Sequence, residues 1–191
     1  MVHNWLHRSI SLAILVLSLV AAGCGSSGPA LPAVTGPEWQ EATSASGNYV
    51  AEFPGKAKAE TQEVPGSDLS ISFTTFESGG DAFTLSETAL NGVAPYPLDD
   101  AVDGAVESAR AGQEAEWGAV TATERSRTTG DLEGVETRRF SYDLAGGDEK
   151  VTMSALIFYR DDVIVQAIVV SDEESDAEAA DRFLSSVKTA G

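Results

Sequence analysis

Apolar and polar residues alternate with a period of two over several short segments, and this pattern predicts strands with one buried face. Each segment is followed by a turn rich in Gly, Pro, Asp or Ser. The clearest segments place these apolar residues on one face: Tyr49, Ala51 and Phe53; Leu69, Ile71 and Phe73; Phe83 and Leu85; Phe140, Tyr142 and Leu144. A weaker, polar strand is predicted at 58–64. The succession of strands and turns is typical of an antiparallel meander.

Two later segments, 151–159 and 163–170, are apolar on both faces. The second is a run of mainly β-branched residues, which favours a strand covered on both sides. We therefore expect residues 163–170 to form a central strand of the sheet. A further strand is predicted at 117–123, followed by a polar segment and by turns at 130–134.

Apolar residues recur at helical spacing in two segments. The first helix is predicted from Leu98 to Gly112, with acidic residues in its first turn, where the helix dipole favours them. The second opens at a capping box formed by Ser175 and Glu178. Its apolar stripe comprises Ala179, Ala180, Phe183, Leu184 and Val187. The sequence therefore predicts an α+β fold: a mainly antiparallel sheet of about seven or eight strands packed with two helices.

The N-terminal segment has the layout of a secretory signal. One arginine and no acidic residue lie in the first eight positions, and an uncharged run then ends in small residues before Cys24. That run is too short for a transmembrane helix, which needs about 20 apolar residues. The chain is thus predicted to divide into a signal peptide at 1–23, Cys24 with a Gly/Pro-rich linker at 24–37, and one domain at 38–191.

The residues Ala21, Ala22, Gly23 and Cys24 resemble the lipobox of bacterial lipoproteins, although that family prefers Leu where Ala21 stands. The resemblance implies that the thiol of Cys24 receives a diacylglyceryl group, and that the protein is held on the extracytoplasmic face of the cell membrane. Two acyl chains make such anchoring stable. The alternative is an ordinary signal peptide cut nearby, which would leave a free thiol.

The predicted mature chain is strongly acidic. Removal of residues 1–23 takes away one arginine and no acidic residue, which leaves 11 basic and 30 acidic side chains and a formal charge of −19. Nucleic acid is excluded as a partner because phosphate binding requires a basic patch. An anionic lipid surface would also repel the domain, so only the lipid anchor should hold it there. The charge itself favours a soluble monomeric domain.

The mature chain has little chemistry for catalysis. Both histidines, His3 and His7, precede Cys24, which is the only cysteine. Histidine bases, His/Cys zinc sites and disulfides within the domain are thereby excluded. No cofactor is expected.

Two segments resemble the PsbP-like family, which includes LpqN-like envelope lipoproteins. One is Tyr49 to Gly55, which has the form Tyr-x-x-x-Phe-Pro-Gly, and the other is Ala180 to Lys188, which contains Arg-Phe-Leu-Ser-Ser-Val. The resemblance covers residues 47–188. It implies the α+β sandwich fold and binding to other macromolecules, mostly without catalysis, and it assigns no functional residue.

Trp39, Tyr96 and Trp117 lie near predicted loops and are weak candidates for a ligand pocket. Aromatic residues that cover a sheet are a commoner reason for this placement. Acidic residues at 99–103 and 172–178 could attract calcium. The acidic first turns of two helices explain them without an ion, so no metal site is predicted.

Two classes of function remain open. The first is a non-catalytic envelope lipoprotein that binds a protein, glycan or lipid partner. The second is a surface hydrolase that uses carboxylates alone. A concave row of aligned acids would favour the hydrolase, whereas an uncharged apolar groove or a bare sheet face would favour the binding protein.

Overall fold

The structure, a computed structural model, describes residues 38–63, 70–78, 80–92, 94–172 and 177–191. The predicted signal peptide, Cys24 and the linker lie outside the described residues. So does Ser175, the predicted cap of the second helix.

The described residues form two helices and ten strands, which confirms the predicted α+β class. The strands are β1 Gln40–Thr43, β2 Tyr49–Phe53, β3 Lys58–Glu63, β4 Ser70–Ser78, β5 Asp81–Ala89, β6 Thr121–Leu132, β7 Val135–Gly146, β8 Glu149–Arg160, β9 Val163–Ser171 and β10 Lys188–Thr189. The helices are α1 Leu98–Trp117 and α2 Ala177–Ser186. The short strands β1 and β10 were not predicted, because neither has an apolar alternation.

The strands form two antiparallel sheets. The larger has seven strands in the order β3-β4-β5-β9-β8-β7-β6, and the smaller has the order β1-β2-β10. Strand β9 lies at the centre of the larger sheet, between β5 and β8. Its alternate residues Val165 and Ala167 are buried on one face and Ile164 on the other. This position confirms the prediction made from its β-branched run.

Each face of the larger sheet is covered over only part of its width. On one face, α1 packs on β7 and β8 through a core that includes Val102, Phe140 and Ile157. On the other face, α2 and the smaller sheet pack on β5, β9 and the end of β8. The rings of Phe53 and Phe183 lie 5.0 Å apart in this second core. As a result, β6, β7 and the beginning of β8 are left open on the α2 side.

The prediction that α1 ends at Gly112 is wrong. The helix continues to Trp117, and it ends at Gly118, whose φ of 78° suits a glycine. A glycine inside a helix costs about 1 kcal/mol relative to alanine. Packing of Trp117 against the α1 core and the ion pairs of Arg110 with its helix neighbours offset this cost. Trp117 is therefore helical, and the strand predicted at 117–123 begins only at Thr121.

The polar segment after residue 123 is part of a long strand and is not a loop. Strand β6 is the edge strand beside β7, so its solvent face has no need of apolar residues. It pairs with β7 from Thr121 to Leu132, with a bulge between Glu124 and Ser126. The turn that follows consists of Glu133 and Gly134, both with positive φ, as a two-residue hairpin requires.

Candidate functional site

The open part of the sheet forms a groove of about 580 Å³ between β6, β7, β8 and the beginning of α2. Six of its fourteen described lining residues are serines or threonines, and we call it the serine trough. It is lined by Arg125, Ser126, Thr128, Arg139, Phe140, Ser141, Lys150, Thr152, Ser154, Ser171, Asp172, Ala177, Ala180 and Asp181.

The floor of the trough is a row of serines that crosses three strands. Ser126 of β6 lies opposite Ser141 of β7, and Ser141 lies opposite Ser154 of β8. Residues that pair in this way point to the same face of a sheet. The Ser154 hydroxyl donates a hydrogen bond to the Ser141 hydroxyl at 3.2 Å. Because serine is small, this row forms a channel that runs across the strands.

An ion pair between β7 and α2 forms one wall. The Arg139 guanidinium donates from Nη2 to Asp181 Oδ1 at 2.6 Å and from Nη1 to Ser185 Oγ at 3.2 Å. Thr128 lies opposite Arg139 on β6 and extends the same wall toward the sheet edge. The helix thus contributes one side of the trough.

The opposite wall is centred on Asp143. Arg125 Nε lies 2.5 Å from Asp143 Oδ1, and Lys150 Nζ lies 3.8 Å from Oδ2. Thr152 donates to the same carboxylate at 3.0 Å. Burial acts to raise the pKa of Asp143, but the hydrogen bonds from Arg125 and Thr152 and the charge of Arg125 outweigh it, so the pKa is lowered. Asp143 is therefore an ionised carboxylate at neutral pH.

The charges that line the trough balance, in contrast to those of the whole chain. Among the described residues, the cations that line the trough are Arg125, Arg139 and Lys150. The carboxylates are Asp172 and Asp181, together with Asp143, which is paired with Arg125 in the wall. The chain as a whole has a formal charge of −18. A ligand in the trough would thus meet paired charges and hydroxyls.

The three aromatic candidates do not come together. Trp39 packs edge-on against Phe83 at 6.2 Å, and the guanidinium of Arg182 lies 4.4 Å from the Trp39 ring centre. Tyr96 precedes α1, and its ring lies 6.2 Å from that of Tyr159.

Trp117 is at the other end of α1, a 20-residue helix that spans about 30 Å. It packs on the α1 core. In the described part of the chain, the lining of the trough includes none of Trp39, Tyr96 and Trp117. Each of the three covers a core, and a role for them in ligand binding stays a prediction.

Acidic residues in the first two turns of α1 are bound by arginines from the sheet. Arg138 donates to both carboxylate oxygens of Asp99, at 3.1 and 3.2 Å, and Arg127 donates to Asp103 at 2.6 Å. The hydrogen bonds from Arg138 are the main reason that the pKa of Asp99 is lowered. These acids fasten α1 to β6 and β7.

Residues 173–176, which belong to the second acidic segment, lie outside the described residues. Within the described ranges, no group of three or more Asp, Glu, His or Cys side chains is placed to hold a metal ion. No helix among these residues is long and apolar enough to cross a bilayer.

The sequence matches no family model and no curated protein. The fold is similar to the solution structure of cyanobacterial PsbP (CyanoP) from Synechocystis sp. PCC 6803, with a TM-score of 0.56 and 12% identity over 88% of this chain and 98% of that chain. It also matches a Pseudomonas aeruginosa protein of unknown function, with a TM-score of 0.39 and 14% identity over 60% of this chain and 83% of that chain. The likeness to CyanoP confirms a PsbP-like fold.

The sequence interpretation missed the serine trough, although its signal was present. In 140–144 the apolar residues Phe140, Tyr142 and Leu144 alternate with Ser141 and Asp143. This alternation predicts the strand, and it places Ser141 and Asp143 together on the face opposite to the apolar residues. The short serines on neighbouring strands make a groove only in one register, which the sequence did not specify.

Proposed function

We propose that this protein is an envelope lipoprotein, anchored through Cys24, whose domain is a non-catalytic binding module. The serine trough is its binding surface. The observation that supports this proposal is the bare, concave sheet face between β6 and α2. A bare sheet face favours a binding protein over a carboxylate hydrolase.

The size and lining of the trough suit a ligand. Binding pockets commonly enclose about 300 to 1,000 Å³, and the trough encloses about 580 Å³. Its walls are held by the Arg139–Asp181 and Arg125–Asp143 ion pairs, so the long side chains are fixed before a ligand arrives. Binding to such a preorganised surface loses less side-chain entropy.

The carboxylate of Asp143 is poorly suited to general acid catalysis of hydrolysis. A general acid needs a pKa raised toward neutrality, whereas the pKa of Asp143 is lowered. Asp181 is engaged by Arg139. Asp143 is therefore ionised at neutral pH and cannot serve as a general acid there, and this favours binding over the hydrolase alternative.

The anchor would keep the trough close to the membrane. Thirteen residues separate Cys24 from Glu38, and the sequence predicts that they form a linker, which as a coil of this length would span roughly 20 Å. The anionic lipid surface repels the acidic domain. The domain therefore stays near the bilayer through its anchor, with the trough accessible to components of the envelope.

Site-specific photo-cross-linking in cells tests this proposal. A photoreactive amino acid replaces Ser126, an exposed residue of the trough, and in a matched control it replaces Thr61, an exposed residue of β3 at the far edge of the sheet. We expect an envelope adduct from position 126 and none from position 61. If position 126 gives no adduct, or both positions give the same one, the trough is not the binding surface.

A further inference from the structure

We infer that the serine trough takes an uncharged, hydroxyl-rich ligand, namely an oligosaccharide chain lying along the row Ser126, Ser141 and Ser154. The inference rests on the proposed function, because it names the class of ligand for the same groove. It is carried by three properties of the trough: its hydrogen-bonding groups, its balanced charge and its shape.

The hydrogen-bonding groups of the trough both donate and accept. Each serine or threonine hydroxyl has one donor and two acceptor positions. Six such hydroxyls line the trough, on Ser126, Thr128, Ser141, Thr152, Ser154 and Ser171. A saccharide carries the same groups at short intervals, so it can pair with neighbouring hydroxyls of the floor as both donor and acceptor.

The lining does not suit a peptide or an acyl chain. A peptide usually binds a sheet through main-chain bonds to a free strand edge, with pockets for its side chains. In the floor of the trough, the main-chain groups between β6, β7 and β8 are already paired with one another. The described lining is apolar only at Ala177, Ala180 and Phe140, and Phe140 belongs to the core beneath α1. An acyl chain would therefore lie on polar groups.

The charges of the trough favour an uncharged ligand. An anionic ligand at Arg139 or Arg125 would lie beside the carboxylate of Asp181 or Asp143, which already balances the charge of that arginine and would repel the ligand. It would also approach against the negative field of the whole chain, whose formal charge is −18. A cation would have to displace the arginines from the same pairs. An uncharged ligand leaves both ion pairs intact and can hydrogen-bond to their outer atoms.

The shape of the trough fits a chain that crosses the strands. Neighbouring strands are about 4.8 Å apart, so the three serines extend over roughly 10 Å. The row is open at the edge strand β6 and approaches α2 at its other end. A linear oligosaccharide can enter from the sheet edge. Because the affinity would come from hydrogen bonds, we expect dissociation constants on the order of 1 mM.

Saturation-transfer NMR of the mature protein, in a detergent without a sugar head group, tests the inference. The uncharged probes are maltotetraose, cellotetraose and tetra-N-acetylchitotetraose, and the anionic probe is an oligogalacturonate of the same length. We expect transfer to at least one uncharged probe and none to the anionic probe. Ser141→Val fills the floor and should weaken binding at least tenfold, whereas Thr61→Val on β3 should leave it unchanged.

A second variant covers the case in which Ser141→Val fails to fold. Ser126→Ala removes one hydroxyl at the exposed strand edge and should weaken binding severalfold. The inference is overturned if no uncharged probe binds at tens of millimolar, if only the oligogalacturonate binds, or if neither serine variant changes the affinity. An adduct of Ser126 with a protein in cells, without binding of any sugar, would retain the proposed function and reject this ligand class. If neither the cross-linking nor the NMR experiment gives the expected result, both the proposed function and this ligand class are rejected.

Discussion

Arg139 of β7 reaches Asp181 of α2 across the open side of the sheet, with 2.6 Å between Nη2 and Oδ1. It also donates to Ser185, one turn further along the helix. The helix packs its apolar face on β2, β8 and β9, so this contact joins it to a strand that it does not cover. The contact both completes a wall of the trough and fixes the helix at one side of it.

Breaking this contact should affect the trough more than the stability of the fold. We expect Arg139→Gln to lower the free energy of unfolding by less than about 1 kcal/mol, because an exposed ion pair contributes little. Cross-linking from position 126 should fall severalfold, since the wall is no longer fixed. Arg182→Gln is the matched control, because Arg182 pairs with Glu52 on another side of the same helix. A loss of cross-linking that is equal in the two variants would contradict a specific role for Arg139.

The second prediction concerns the docking of α2. Phe183 is fully buried and packs against Phe53 and Phe83 at 5.0 and 5.5 Å. Phe183→Ala should therefore lower the free energy of unfolding by about 3 to 5 kcal/mol. Ser185→Ala, on the exposed side of the helix, should cost well under 1 kcal/mol. Urea denaturation measures the free energy of unfolding of the two variants. Equally small effects would mean that the Phe183 ring does not anchor the helix.

Much of the fold could be predicted from the sequence because buried faces impose a period on it. The alternation at Phe140 and Leu144 and the β-branched run of β9 located strands correctly. Predictions from local sequence were wrong where contacts between distant residues determine the secondary structure. Gly112 stays helical because Trp117 packs on the core beyond it, and β6 is a strand because β7 provides its hydrogen-bond partners.

The site could be predicted much less well than the fold. Aromatic residues are common in binding pockets, which made three of them candidates. Each of the three packs on a core: Trp39, Tyr96 and Trp117. The trough depends on the register that sets Ser141 opposite both Ser126 and Ser154. A shift of one residue would turn these serines to the other face. No local pattern in the sequence fixes that pairing.

The third prediction concerns acid. The pKa of Asp143 in the folded protein lies below its ordinary value of 3.8. The stabilisation from its ionised form is thus complete well above that value, and it is lost as the pH falls through the folded pKa. Asp143→Asn should lower the stability near neutral pH, and the difference from the unaltered protein should shrink below about pH 4. Urea denaturation between neutral pH and pH 3 measures this difference in stability. A difference independent of pH would contradict a stabilising role for the ionised Asp143.

The fourth prediction concerns Cys24, the proposed lipid acceptor. The mature protein should enter the detergent phase in a cloud-point separation, because two acyl chains hold it there. Cys24→Ser should leave the precursor unlipidated and uncleaved by the lipoprotein peptidase, so its apparent mass should increase. If the unaltered mature protein stays in the aqueous phase, Cys24 does not carry the lipid.

The fifth prediction is that residues 37–191, without the anchor, fold as a monomer without metal and become more stable with added monovalent salt. The acidic residues greatly outnumber the basic ones, so the folded domain repels itself. The screening length falls from about 10 Å at 0.1 M salt to about 3 Å at 1 M. Salt also weakens pairs such as Arg127–Asp103, but exposed pairs contribute only about 0 to 1 kcal/mol each. We therefore expect the relief of repulsion to exceed this loss.

Thermal melts with calcium distinguish stabilisation by general charge screening from stabilisation by a specific metal site. A specific site would stabilise the domain at micromolar to millimolar calcium through mass action, and a chelator would reverse the effect. In the first two turns of α1, calcium would have to displace Arg138 and Arg127 from Asp99 and Asp103. We expect thermal melts in millimolar calcium to match those in sodium chloride of equal ionic strength. A rise of many degrees with calcium alone would show that a metal site exists despite these arginines.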